Sequence, residues 1–281
     1  MTSSMKTAVL FALLTTLFIV VGGLIGGKTG VIVALFFAVA VNFFSYWFSD
    51  SIVLKMYKAQ ELQRSDAPQL HEIVEELARN AGIPKPRICI IPDPSPNAFA
   101  TGRNPENAVV AVTQGIMHIL STNELRGVIA HEIAHIANRD ILIQSCAAVL
   151  GSAITSLANM LYFTSLFGGR DNENSSPISA VGAILMIILA PLAASLIQMA
   201  ISRSREYSAD ESGAHFSSDP QSLASALNKL NNYSAKIPLN ANPSTENMFI
   251  VSPLHSGNMQ ALFSTHPPIE ERIKRLMQMA R

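Results

Sequence analysis

Two histidines four residues apart enclose a glutamate in the run His131-Glu132-Ile133-Ala134-His135. On an α-helix, positions i and i+4 share one face a turn apart, so both imidazoles can offer a nitrogen to a single metal ion. Glu132 stands one residue round the helix, too offset to be the natural third ligand. That place suits a general base acting on metal-activated water. Imidazole and carboxylate donors around an open position favour one zinc ion per chain. The plainer alternative is a helix that carries two surface histidines.

A catalytic zinc of this kind takes a third protein ligand, and Glu206 in Arg203-Ser-Arg-Glu-Tyr-Ser-Ala-Asp210 is the best placed. It follows the last of four apolar runs, just as the histidine motif precedes the third. An antiparallel hairpin between them returns the chain to the same face. Asp210, four residues on, shares the helix face of Glu206 and could orient a ligand. The competing reading of Glu206 is a surface ion pair with Arg203 or Arg205.

The motif needs a helix, and the sequence supplies one. Ser121 with Glu124 forms a capping box ahead of Leu125, Val128, Ile129, Ile133 and Ile136, which recur at helical spacing. A second helix is expected after Asp66-Ala-Pro68, with Asp66 as N-cap, Leu70, Ile73, Val74 and Leu77 as its buried face, and Gly82 as its stop. Arg87–Ile91 and Ala108–Val112 read as short strands. Between them, Asn97, Ala98, Phe99, Ala100 and Thr101 either form an exposed edge strand that binds substrate backbone by β-addition or an ordinary hairpin strand. Asn97 could also hydrogen-bond substrate. Helices are expected after Asp219-Pro220 and after Pro268, and 237–265 reads as loop. The fold class is mainly α with a small β-sheet, plus transmembrane helices.

Four apolar runs have spanning length: 8–27, 30–49, 141–163 and 178–201. The first is longer than a secretory signal core of roughly 7 to 15 residues and is followed at once by the second, so a retained hairpin is favoured over a cleaved signal. Gly22, Gly23, Gly26 and Gly27 would let its helices approach closely near the turn. The third run is the most polar, so a buried or partly inserted helix stays open there. Only 14% of residues are charged, against about 25% in soluble domains, which fits a lipid-facing fraction. Lys6, Lys55, Lys58, Arg64, Arg139, Arg203 and Arg205 fall on one side of such spans, and Lys28 and Arg170 on the other. This asymmetry puts both termini and the polar segments in the cytoplasm. The division is then 1–58 and 141–201 as membrane hairpins, with 59–140 and 202–281 forming one catalytic domain. Net charge is zero, which argues against a nucleic-acid partner. Cys89 and Cys146 read as buried hydrophobes.

Taken in order, Asn97-Ala-Phe-Ala-Thr-Gly102, the His131–His135 motif with Asn138 and Asp140 after it, Arg203-x-x-Glu206-x-x-x-Asp210, and Thr265-His-Pro-Pro268 with Arg272 resemble the HtpX family over nearly the whole chain. That family comprises membrane zinc endopeptidases related to prenyl-protein CAAX endopeptidases. The resemblance implies a gluzincin-like α+β catalytic domain facing the cytoplasm of a bacterial inner membrane, with zinc on His131, His135 and Glu206 and Glu132 as base. It also implies a stress-response role, with misfolded or damaged membrane proteins as substrates. Asn138, Asp140 and Arg203 enter as site candidates through these motifs.

His266 lies between Thr265 and two prolines in a loop that could hold its imidazole near the metal. It would then donate to the oxyanion or fill the open zinc position, unless it merely caps the last helix. His71, His118, His215 and His255 lack a partner at ligand spacing. Two other functions compete: a CAAX-type processing protease, and a non-enzymatic metal-binding membrane scaffold or transporter subunit. The scaffold or transporter reading calls for ionisable residues within the spans, and the four runs have none. An intramembrane protease would hold the motif inside an apolar span, whereas Asn123, Glu124, Arg126, Asn138, Arg139 and Asp140 surround it here.

Overall fold

The computed structural model describes residues 3–152, 154, 203–234, 237, 243–251 and 267–280. Residues 155–163 of the third apolar run, the fourth run, the intervening loop, His255, Thr265 and His266 lie outside the described residues.

The first helix, α1 (Ser3–Met56), consists of two arms joined at Gly27, whose φ of 56° and ψ of −138° suit glycine. The arms fold back on each other. Phe18 meets Phe37 edge to face at 5.2 Å, and the Asn42 amide donates to the Thr15 hydroxyl at 2.9 Å. Near the turn the backbones touch, since a Cβ on Gly30 would collide with the Gly22 carbonyl. The second arm, Gly26–Met56, has 31 residues and is long and apolar enough to cross a membrane, whereas Ser4–Val20 in the first is a shorter apolar helix.

After β1 (Gln60–Glu61) comes α2 (Pro68–Asn80). Its N-cap is Ala67, with no side-chain cap, and Asp66 instead accepts from the Ser65 hydroxyl. The expected Asp66 cap therefore fails. A residue that precedes proline is pushed out of the helical region, which puts the boundary at Ala67.

Strands β2 (Arg87–Ile91), β3 (Ala98–Thr101) and β4 (Val109–Thr113) complete a four-stranded mixed sheet in the order β1-β2-β4-β3. β2 and β4 are parallel, and β3 pairs antiparallel with β4 at the edge. The short helix α3 (Gln114–Ile119), too short to show a periodic pattern, starts where the Thr113 hydroxyl accepts the Ile116 N–H. It is followed by α4 (Thr122–Ala137), which carries the motif and begins with the expected capping box.

Four more helices are described: α5 (Ile141–Ser152), α6 (Arg203–Ser217), α7 (Pro220–Ser234) and, after a 3-10 segment at Pro243–Met248, α8 (Ile269–Met279). The fold is mainly α with a small sheet, as expected.

Strand side chains alternate between faces, and this sheet uses both. Ile88, Ala98, Ala100, Val110 and Val112 join Ile129, Ile133 and Leu227 in the main core around α4. Cys89, Phe99, Val109 and Ala111 pack instead with Val53 and Leu54 of α1 and with Phe249. Leu10 and Leu14 of α1 meet Cys146 and Leu150 of α5 in a third cluster. The motif helix is thus central and the edge strand lies between it and α1.

Candidate metal centre

His131 and His135 project from one face of α4 and are both buried, with their Nε2 atoms 3.2 Å apart. Glu206 of α6 faces them, with Oε2 3.7 Å from His131 Nε2 and Oε1 3.4 Å from His135 Nε2. Zinc bonds of 2.0–2.1 Å in tetrahedral geometry put neighbouring donors about 3.3 Å apart. The observed spacings lie close to that edge length. Two imidazoles and one carboxylate also leave an open fourth position, so the donor set fits a catalytic zinc.

Close helix packing brings these donors together. A Cβ on Gly213 would lie 2.9 Å from the His131 backbone nitrogen, so only glycine lets α6 run this near to α4. Glu206 and Asp210, on earlier turns of α6, then reach the histidines.

Each imidazole is held from behind. Asp210 Oδ1 lies 2.9 Å from His131 Nδ1, and Asp140 Oδ2 lies 3.4 Å from His135 Nδ1. A carboxylate at Nδ1 fixes the tautomer that leaves the Nε2 lone pair for metal. Asp140 reaches its place through the end of α4. Arg139 takes a positive φ of 59°, the Asp140 N–H bonds the His135 carbonyl, and the Arg139 N–H bonds the Ile136 carbonyl. This left-handed cap turns the chain back over the second histidine.

Charge at the site is nearly all buried. Burial lowers the pKa of His131, and nearby Arg272 lowers it further against the pull of Asp210, which keeps the ligand form of the ring. Burial also disfavours the His135 cation, but Glu206 and Asp140 outweigh it and raise that pKa to about 10. Glu132, buried beside them, is raised to about 7, chiefly by burial, while His135 and the Ala100 N–H act in the opposite direction. A carboxylate poised near neutrality suits a general base.

The structure brings His131, Glu132, His135, Glu206, Asp210 and Asp140 together. Glu206 is 5% exposed, so it lies inside the protein and not at its surface. Asn138 is the exposed C-cap of α4, and Arg203 is exposed at the start of α6. It is Arg205 that approaches Asp140, with Nε 3.6 Å from Oδ1.

The segment 97–101 is an edge strand, but its side chains are not exposed. Phe99 packs between Tyr57 and Phe249 at 5.9 and 5.3 Å, and the Thr101 hydroxyl meets that of Ser145 at 2.8 Å. Asn97 donates from Nδ2 to the Val251 carbonyl and accepts from the Ala98 N–H, so its amide is engaged internally. Strand alternation turns Phe99 and Thr101 away from α4, and Ala98 and Ala100 towards it.

In the sequence, Arg272 follows the Thr265-His-Pro-Pro268 motif with no role attached to it. It is fully buried and donates from Nε and Nη2 to both carboxylate oxygens of Asp210, at 2.8 and 2.7 Å. The available signal was an arginine on the same face of α8 as Ile269 and Leu276.

The sequence model of peptidase family M48 matches residues 64–280. A protein named protease HtpX homolog from Persephonella marina is 58% identical, over 99% of this chain and 98% of its own. A second of that name, from Ralstonia pickettii, is 56% identical over 98% of this chain and 96% of its own. Among solved structures, the crystal structure of S. mikatae Ste24p aligns with a TM-score of 0.52 and 20% identity, covering 85% of this chain. The alignment spans 57% of that structure's length, and at this identity the likeness speaks to fold alone.

Proposed function

Since the chain belongs to peptidase family M48, we propose that it is a membrane-anchored zinc endopeptidase that cleaves misfolded or damaged membrane proteins. The reading is carried by one observation: His131, His135 and Glu206 present three buried donor atoms within 4.8 Å of one another, beside Glu132. Zinc in that position would supply Lewis acidity at a peptide carbonyl and activate a water molecule as nucleophile. Glu132 takes the proton from that water and later delivers it to the leaving amine nitrogen. The Ala100 N–H holds the Glu132 carboxylate in place for both transfers. Asp210 and Asp140 keep the two imidazoles aimed inward.

The membrane location has its own support. Phe36 is 73% exposed, and Ile32, Val33, Val39 and Phe44 are exposed large apolar side chains on the same arm. Lipid would cover it. Trp47 and Tyr46 stand near the end of the second apolar run, and the Arg103 guanidinium lies over Trp47 at 4.5 Å, an arrangement suited to the headgroup level. We assign 1–58 and 141–201 to membrane hairpins and 59–140 with 202–281 to a cytoplasmic catalytic domain, following the Lys and Arg asymmetry. An inner-membrane stress and quality-control role agrees with that placement.

The test uses the full chain purified in detergent, loaded with zinc and given casein. Cleavage should occur, stop on chelation, return with zinc, and be absent from Glu132→Gln, which retains its metal. Zinc binding without cleavage by the unaltered protein would favour a metal-binding scaffold instead. Undiminished cleavage by Glu132→Gln would remove Glu132 from the mechanism.

A further inference from the structure

Arg272 is the largest fully buried side chain among the described residues, and three acceptor groups surround it. Its Nε and Nη2 grip Asp210 as a two-point fork at 2.8 and 2.7 Å. Its Nη1 lies 3.6 Å from Glu206 Oε2. The same Nη1 donates to the Ile250 carbonyl at 3.1 Å. Burial works against the arginine charge, yet Asp210 and Glu206 more than offset it and push its pKa further up. The side chain is therefore a permanent cation at the centre of the site.

Two chains of contact start from this one group. One runs through Asp210 to His131 Nδ1, and so to the orientation of a metal ligand. The other runs through Ile250, whose N–H bonds the Ala98 carbonyl on β3 at 3.1 Å. That bond uses an acceptor that an added strand would need, so the position of Ile250 sets how much of the β3 edge is open to a peptide. Val251 reinforces the attachment by accepting from the Asn97 amide at 2.9 Å.

We propose that Arg272 is a positioning residue that couples the metal ligands to the outer edge of β3, where a substrate peptide would add as a strand, through Asp210 on one side and Ile250 on the other. Planar guanidinium geometry is essential to this role. It forms a two-point grip on a carboxylate and retains a further N–H for a backbone carbonyl, whereas an ammonium offers a point charge. The inference rests on the proposed zinc endopeptidase reading.

The test is Arg272→Lys in the full-length protein, with zinc affinity measured by chelator competition and KM and kcat measured on a fluorogenic peptide at saturating zinc. Zinc affinity should fall about 10- to 100-fold, the range seen when partners of metal ligands are lost. KM should rise several-fold more than kcat falls. A purely structural role would lower the melting temperature and leave both readouts unchanged, which would overturn the proposal. So would a change in only one of them.

If Arg272→Lys does not fold, Asp210→Asn keeps the shape and loosens the fork from its other end. It must then show both the zinc loss and the KM rise, and zinc loss alone would refute the coupling to β3. Failure of the unaltered protein to bind zinc would count against the proposed function itself, a separate result.

Discussion

Asp140 and His135 are joined twice. The Asp140 N–H donates to the His135 carbonyl at 2.9 Å, and the Asp140 carboxylate faces His135 Nδ1 at 3.4 Å. The end of the motif helix and the orientation of its second histidine are therefore one structural feature. Loss of the carboxylate in Asp140→Ala should lower zinc affinity about 10- to 100-fold with little change in helix content. Chelator competition and circular dichroism measure the two separately.

The same turn depends on Arg139 at a φ of 59°. A β-branched residue fits that conformation badly and glycine fits it well. Arg139→Val should be less stable than Arg139→Gly by about 1–2 kcal/mol. Denaturant midpoints of the two variants provide the comparison.

Gly213 sets the distance between α6 and α4, because a Cβ there would press on the His131 and Ala130 backbone at 2.9 to 3.0 Å. Gly213→Ala should destabilise the protein by about 1–3 kcal/mol, the usual cost of overpacking. It should also move Glu206 away from the histidines. Zinc affinity is expected to fall in Gly213→Ala and further in Gly213→Val, and equal affinities would contradict this account.

Glu124 ties α4 to α7. Burial would raise its pKa, but the Lys229 ammonium at 2.7 Å, the Ser225 hydroxyl and the Ser121 N–H and hydroxyl together hold it down at about 2. A carboxyl depressed in the folded state contributes stability that is present above its unfolded pKa of about 4.3 and is lost as pH falls through the folded value. Stability of the unaltered protein should thus decline between about pH 4.3 and 2 more steeply than that of Glu124→Gln. Urea midpoints across that interval show whether the two curves converge.

Phe99 lies fully buried against Tyr57 and Phe249, on the side of β3 that faces α1. Its truncation is expected to act through packing, as the side chain points away from the motif helix. Phe99→Ala should cost about 3–5 kcal/mol in stability. A variant with normal stability and altered cleavage preference would place Phe99 in substrate recognition instead.

Much of the fold was legible in local patterns. The capping box at Ser121 and Glu124 and the spacing of Leu125, Val128 and Ile129 located α4, and strand-forming runs at 87–91 and 108–112 located β2 and β4. Each signal lies within one turn or one strand, where neighbours in sequence are neighbours in space. Glu206 was reachable too, because the expected return of two apolar runs would bring the chain back to the face it left. The Asp66 cap failed because Pro68 moved the helix boundary by steric exclusion at Ala67.

What the sequence alone determined is the donor chemistry: two imidazoles a turn apart on a helix, with a carboxylate between them and another in the Arg203–Asp210 run. Tertiary structure decided which groups surround those donors. Arg272 meets Asp210 across 62 residues of chain, Arg205 and not Arg203 approaches Asp140, and one face of β3 is covered by Tyr57, Ser145 and Phe249. No periodicity encodes these pairings. They arise where separate elements pack, since a charge or an amide removed from water must find its partner among whatever groups that packing brings near.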